Sequence, residues 1–568
     1  MNTGKIQWQN RIEGRAYIIA GLLLGTFAIF GALNEIRLIT QFFLIKQDII
    51  LVILSCIFYI ILSRFPNRIS LGSKYSVVST PGVAALLALA VLTVGIVGHF
   101  LLLSGHALSR DEQMALMDSK IFAAGHLAYP LPESLAGLHH ALNSTWIPMP
   151  YIDVAWKSQY LPVNAALHAP FIASGTQFLV GPICSALAIL FTWLASERIW
   201  PDNRQAQLVA TVITALNAQV LVNAMTAYAM PFLLAANMAW LWLFLLDRPW
   251  SHTLAILLGV AATGSHQLAY HPAFALPFCT VIVWQRRWIL ATIYLVTYCI
   301  TIFFWANIDG AILATLESEA IESAASQRSI VAVASGYVAN ISEQTVWILS
   351  ANLSRFFTWQ HVLLLPLMVV GSIQVLRSRN PIMIAILASF ALCLAMKFAL
   401  RPFQGHGWGY RYLHGEIGVA AMVAAYGWIR LREVGSIGWR HFIAGSAFTA
   451  AIAIPWSMTA AYRFSHPFHI LEGQIASSKA KVVIVPDYAA PFAQDLVLND
   501  PFSQTRPLRF KASKIDPNMM GRLCEFGPVW IMDEAALQPI ADMFDSPIQS
   551  RQELIKSIVE QSNDGCLI

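Results

Sequence analysis

Long apolar runs separated by short charged turns constrain this chain more than any other feature. A helix needs about 20 apolar residues to cross a bilayer. That rule yields about thirteen candidates, at roughly 16–33, 40–62, 82–104, 170–196, 206–224, 228–246, 252–266, 271–285, 288–306, 360–376, 381–400, 415–431 and 442–462. Only 12% of the 568 residues are charged and 57% are hydrophobic, with a mean hydropathy of +0.59. A soluble domain carries about twice that share of charge, so the expected fold class is an all-α polytopic membrane protein. The net charge of +5 is too small to point to nucleic acid as a partner. The pair around 252–285 is short and interrupted by His266, His271 and Pro272, which suits helices that dip into the membrane around a cavity.

Lysine and arginine near helix ends collect on the cytoplasmic side. Here Lys5, Arg11 and Arg15, then Arg64, Arg68 and Lys74, then Arg198 and Arg204, mark one side. Arg248, the pair Arg286 and Arg287, the pair Arg377 and Arg379, and Arg430, Arg432 and Arg440 continue the pattern at every second turn. The N-terminus is then cytoplasmic. Segments 105–169, 307–359 and 401–414, and the tail after about Arg463, are external. Compact cytoplasmic loops favour a bacterial inner membrane. Arg110, Arg355, Arg401 and Arg411 fall on the outer side against the rule, which marks each for a specific role.

The external segments differ in character. Residues 105–169 are rich in proline, histidine and aromatics. Residues 307–359 carry Glu317, Glu319 and Glu322 and read as one or two amphipathic helices. The tail, 463–568, alternates strand-like runs (Lys481 to Val485, Val529 to Met532) with a helix at about 547–561, the pattern of a small extracytoplasmic α/β domain. Five of the seven cysteines lie in apolar runs. Cys524 and Cys566 do not, and an external tail would let them form a disulfide.

Chemistry concentrates in three places. Asp111 and Glu112 open the first external segment, and adjacent residues on a helix project in different directions. One acid can therefore act as a base while the other holds a metal or a neighbouring group. Arg401 to Glu416 brings Arg401, His406, Arg411 and Tyr412 to the mouth of a helix pair, amid glycines that admit a ligand to the backbone. Arginine binds phosphate oxygens in a bidentate fork. His266 and His271 form the third group; a spacing of five keeps them off one helical face, so a chelating pair is not indicated. A divalent cation is a candidate cofactor, with Asp111, Glu112 and Asp153 as ligands.

The order Asp111-Glu112, then Gly125 to Tyr129, then Tyr160-Leu161-Pro162 before the next spanning run, then Gly407-Trp408-Gly409-Tyr410-Arg411-Tyr412, resembles the GT-C superfamily of membrane glycosyltransferases. That group includes protein O-mannosyltransferases, lipid A aminoarabinose transferases and lipopolysaccharide-core transferases. The resemblance covers a module at 81–462, preceded by two additional helices within 1–80 and followed by the 463–568 domain. It implies a polyprenyl-phosphate sugar donor, a hydroxyl-bearing acceptor on a glycolipid, polysaccharide or protein, and inverting displacement. It also implies roles: Asp111 as general base, Glu112 as metal ligand or orienting group, Arg401, His406 and Arg411 on the lipid phosphate. Tyr160, His266, His271 and Tyr412 are further substrate contacts. Two other classes fit the composition. A transporter or flippase of a lipid-linked or anionic solute would place charges at mid-membrane in broken helices, and a polysaccharide polymerase or ligase would need no acid pair at the first loop.

Overall fold

The computed structural model describes residues 15–36, 38–64, 80–107, 109–142, 155–313, 342–400, 404–502, 507–562 and 565–568. Asp153, Arg401, Glu317, Glu319 and Glu322 lie outside the described residues.

Among the described residues, six helices are long and apolar enough to cross a membrane: Leu38–Arg64, Thr80–Leu101, Gln177–Ile199, Trp288–Ala306, Pro381–Ala399 and Trp439–Ser477. Arg204–Ala215 and Ala218–Ala224 make a seventh if taken as one span bent by 54°. Four apolar helices are shorter: Ala16–Ala32, Met230–Leu246, Tyr270–Trp284 and Leu364–Ser378. The expected thirteen full-length spans are therefore not reached by length and composition. The shortfall has a packing cause. Ile417–Glu433, for example, is buried along nearly its whole length, so protein rather than lipid surrounds it and a full apolar run is not required.

Close helix contacts build this interior. A Cβ on Gly371 would meet the Val423 carbonyl at 2.0 Å, and one on Gly427 would meet the Leu367 carbonyl at 2.1 Å. Small residues let the Leu364–Ser378 and Ile417–Glu433 backbones touch, as helices do where burying apolar surface drives nothing.

The last span does not stop at the bilayer. Trp439–Ser477 runs 39 residues, about 58 Å at 1.5 Å per residue, well beyond a hydrocarbon core of about 30 Å. It leads into the C-terminal unit. Two short strands in the segment between Leu101 and Gln177, β1 (Tyr129–Pro130) and β2 (Ala155–Trp156), pair antiparallel. The C-terminal unit holds β3 (Val482–Val485), β4 (Leu508–Lys511) and β5 (Val529–Ile531) in a parallel sheet of order β4-β3-β5. A disulfide joins Cys524 to Cys566, and Leu567 bridges Val529 alongside it.

The sheet matters for function because of what it packs on. Met114, Met117 and Ile121 of the Arg110–Ala123 helix share a buried cluster with Val482, Ile484 and Phe510. Arg110 Nε donates to Asp495 Oδ1 at 3.0 Å with both side chains buried, and Gln113 Nε2 donates to the Asp495 carbonyl at 2.8 Å. The helix bearing Asp111 is thus fastened to the C-terminal unit.

Candidate active site

Asp111, Ala115 and Asp118 recur on the face of the Arg110–Ala123 helix away from that cluster, at the spacing that aligns side chains along a helix. They line a pocket with Tyr160, Asn164 and His266. Asp111 and Glu112 occupy the first turn, where the partial positive charge of a helix N-terminus favours carboxylates.

Two residues distant in sequence converge on Asp111. The Tyr160 hydroxyl donates to Oδ1, and Arg411 Nη1 donates to Oδ2. The Asp111 side chain is 14% exposed and that of Arg411 7%, so the ion pair is nearly dry while Asp111 still faces the pocket. Burial works to raise the Asp111 carboxyl; the Arg411 guanidinium, with the hydrogen bonds from Tyr160 and Arg411, outweighs it and holds the group below its ordinary value. Burial, then the Asp111 charge, pushes the Tyr160 phenol up, which keeps it a donor.

Glu112 turns the other way. Its Oε2 accepts the Ala227 N–H at 2.9 Å, orienting the turn before the Met230–Leu246 helix. The adjacent acids therefore do not converge. Among the described residues no group of three or more His, Cys, Asp or Glu could hold a metal ion, and the charge facing Asp111 is a guanidinium. These donors do not fit a divalent cation, which takes several oxygens at once.

Arg411 is held by its own loop. Its backbone N–H donates to Gln404 Oε1 at 2.9 Å, its Nη2 to the Gln404 carbonyl at 2.5 Å, and Gln404 Nε2 to the Gly409 carbonyl at 2.8 Å. Gly409 has φ +63°, and a Cβ there would lie 2.4 Å from Gln219 Oε1, so only glycine fits. The bent helix pair grips the same loop: Gln219 Nε2 donates to the Tyr410 carbonyl at 2.9 Å and Asn223 Nδ2 to the Trp408 carbonyl at 3.2 Å. Arg355 adds a third hold, donating to the Gly407 carbonyl at 2.6 Å.

The other expected residues divide. His266 stacks on Tyr270 at 5.4 Å, meets Tyr412 edge-on at 6.3 Å and lies 6.4 Å from Tyr160. Tyr160, His266, Arg411 and Tyr412 are thus gathered around Asp111. His271 is not a phosphate ligand in this geometry: it is fully buried, with Nδ1 against Asn237 Oδ1 and Nε2 against the Tyr298 hydroxyl, each at 2.8 Å. Both ring nitrogens are taken up in the helix core. His406 lies among aromatic rings. Its ring stacks on Phe464 at 3.9 Å and meets Trp408 edge-on. Burial, then Arg355 and Arg411, lowers its imidazole well below the ordinary value.

Three residues escaped the sequence reading. Asp118 accepts the Ser158 N–H at 3.0 Å and its hydroxyl at 2.5 Å, while Lys157 donates to the Ser158 carbonyl at 2.8 Å and pairs with Asp309 at 2.5 Å. This knot fixes the strand that leads to Tyr160. Its signal was available, since Asp118 lies two helical turns after Asp111. Lys397 is 2% exposed, with Nζ 3.0 Å from the Tyr270 ring centre and 4.8 Å from that of Tyr412. A lysine inside an apolar run marks a functional site by default. Tyr228 carries no such signal; its hydroxyl meets Ser109 Oγ at 2.9 Å and its ring lies 5.4 Å from the Arg411 guanidinium.

No protein-family model and no curated protein matches the sequence. Among solved structures the chain is similar to ArnT from Cupriavidus metallidurans in the apo state, with 11% identity, 84% of this chain and 90% of that one covered, and a TM-score of 0.49. For ArnT from the same organism bound to undecaprenyl phosphate the figures are 12%, 85%, 90% and 0.44. For the Archaeoglobus fulgidus oligosaccharyltransferase in the apo form they are 12%, 72%, 63% and 0.33.

Proposed function

We propose that this chain is an integral-membrane glycosyltransferase that moves a sugar from a polyprenyl-phosphate donor to a hydroxyl-bearing extracytoplasmic acceptor. One observation carries the reading: Asp111, at the wall of a pocket outside the membrane spans, touches the buried Arg411 guanidinium. Inverting transfer needs those two groups together. The acceptor oxygen bonds to the anomeric carbon, the bond from that carbon to the phosphate oxygen breaks, and its electron pair leaves with the lipid phosphate. Asp111 takes the acceptor proton. Arg411 stabilises the departing phosphate, which is a stable anion and needs no general acid.

The pairing also gives a switch in basicity. While Arg411 faces Asp111, the carboxylate is held ionised but weakly basic. Donor phosphate competes for the guanidinium, and as it does so the burial influence is left less opposed and Asp111 becomes a stronger base. Tyr160 keeps the carboxylate oriented through this exchange. The Cys524–Cys566 disulfide supports an oxidising, extracytoplasmic location for the C-terminal unit.

The bent helix pair is the feature that favours a transporter. Its polar residues, however, bind the Arg411 loop and so serve the site. The test is transfer in vesicles from radiolabelled polyprenyl-phosphate sugar, comparing wild type with Asp111→Asn. Loss of labelled product at unchanged expression supports the reading. Wild-type turnover by Asp111→Asn, or label that crosses the membrane without joining an acceptor, overturns it in favour of a polymerase, ligase or transporter.

A further inference from the structure

A second cavity, of about 330 Å³, lies away from Asp111 where the Leu38–Arg64 helix, the last long helix and Gln538–Met543 of the C-terminal unit meet. That volume falls within the roughly 300–1,000 Å³ typical of small-ligand pockets. Its floor is aromatic, formed by Phe42, Trp456 and Phe464, and its rim carries Lys46, Gln47 and Arg463. The order of chemistry, apolar below and cationic above, is that of a lipid headgroup boundary.

Gln47 supplies an independent sign of a ligand. It is 6% exposed, yet its Oε1 has no hydrogen-bond partner among the described residues, and an acceptor buried unpaired is costly. Lys46 reaches Asp545 at 2.6 Å, but the two side chains are 35% and 69% exposed. Such surface pairs contribute little and yield readily to another anion. Arg463 has no ion pair among the described residues. The cavity therefore offers one unpaired cation in Arg463, a second in Lys46, which also donates to the Met543 carbonyl at 3.2 Å, one orphan acceptor and an apolar floor.

We propose that this cavity binds an anionic bilayer phospholipid whose headgroup carries hydroxyls. Its phosphate sits between Arg463 and Lys46, a headgroup hydroxyl donates to Gln47 Oε1, and an acyl chain lies across Phe42, Trp456 and Phe464. The site is independent of the transfer reaction. A bound lipid also braces Phe464, on which His406 of the arginine loop stacks.

The test is native mass spectrometry and thermal melting of the delipidated full chain with phosphatidylglycerol, phosphatidylcholine or undecaprenyl phosphate. Phosphatidylglycerol is expected to be retained about tenfold over phosphatidylcholine, and to raise the melting temperature. Arg463→Glu should cut that retention about tenfold, Arg463→Lys should preserve it, and Ala460→Trp should abolish it by filling the cavity. Arg463 is exposed, so its variants test the site even where the tryptophan variant does not fold. Equal retention of the two phospholipids, retention unaffected by Arg463→Glu, or retention of undecaprenyl phosphate alone would overturn the proposal.

Discussion

Arg411 donates to Asp111 from a position 300 residues further along the chain, and this contact joins the Arg110–Ala123 helix to the turn before Ile417–Glu433. Its electrostatic consequence is directional. A carboxyl held below its unfolded value contributes stability that is present above that value, about 3.9 for aspartate, and is lost as pH falls through the folded one.

Removing the cation should reverse this behaviour. In Arg411→Ala, burial acts on Asp111 opposed only by the Tyr160 hydrogen bond and His266, and its pKa rises. Breaking a buried pair costs about 3–5 kcal/mol, and here the cost is felt where Asp111 stays ionised. The variant is therefore expected to lose more melting temperature at pH 8 than at pH 5, while wild type shows no such excess. The acid limb of its pH–rate profile should move to higher pH, with KM for the donor raised. Paired melts and pH–rate measurements check this; a limb at the wild-type position would mean that Arg411 does not set the basicity of Asp111.

Tyr160→Phe removes one hydrogen bond to a charged group, worth about 1.5–3 kcal/mol, and leaves the ion pair. The expected result is a fall of about 10- to 100-fold in kcat/KM with a smaller upward movement of the acid limb than in Arg411→Ala. Steady-state kinetics over pH resolves the two variants.

Asp118 and Ser158 position Tyr160 and touch no reacting atom. Asp118→Asn and Ser158→Ala should each lower kcat/KM about tenfold without moving the acid limb, and the double variant should fall little further, because partners in one network are not additive. A shift of the limb in Asp118→Asn alone would instead make Asp118 a titrating member of the site.

Metal removal is expected to leave transfer within about twofold of the untreated rate, because Asp111 and Glu112 diverge and the described donors offer no several-oxygen site. Transfer assays with EDTA, then with added magnesium or manganese, decide it. Loss on chelation with recovery on metal would require a ligand set that includes Asp153.

How far the sequence led is clearest at single residues. Asp111, Tyr160 and Arg411 were legible because each interrupts an apolar or aromatic context with a group that is costly to leave unpaired. Their mutual contact was not, since pairing across hundreds of residues depends on how helices pack and no local pattern encodes it. His271 misled for the opposite reason: a histidine beside a proline looks like a cavity residue, but Asn237 and Tyr298, on two other helices, satisfy both its nitrogens. β4 was missed because Leu508-Arg509-Phe510-Lys511 shows two cations where a buried strand should be apolar. Arg509 is compensated by Glu472 at 2.5 Å, at the far end of the last long helix.

The disulfide yields the last prediction. Cys524 and Cys566 are 42 residues apart, and in the chain-entropy account closing a loop of that length stabilises a fold by about 4 kcal/mol. The bond ties the Met520–Glu525 helix to the chain segment beside β5, and that sheet in turn carries Met114, Met117 and Ile121 of the Asp111 helix. Loosening the sheet should therefore reach the base through packing and the Arg110–Asp495 pair, with no change in the chemistry itself. Cys524→Ser and Cys566→Ser, alone or together, are expected to lower the melting temperature by similar amounts. At low temperature kcat should be near wild type, with a steep loss on warming well before the wild-type enzyme falters. Temperature-dependent transfer assays beside melts of the same preparations test the coupling. Heat inactivation unchanged in a variant whose C-terminal unit has demonstrably melted would separate that unit from the site.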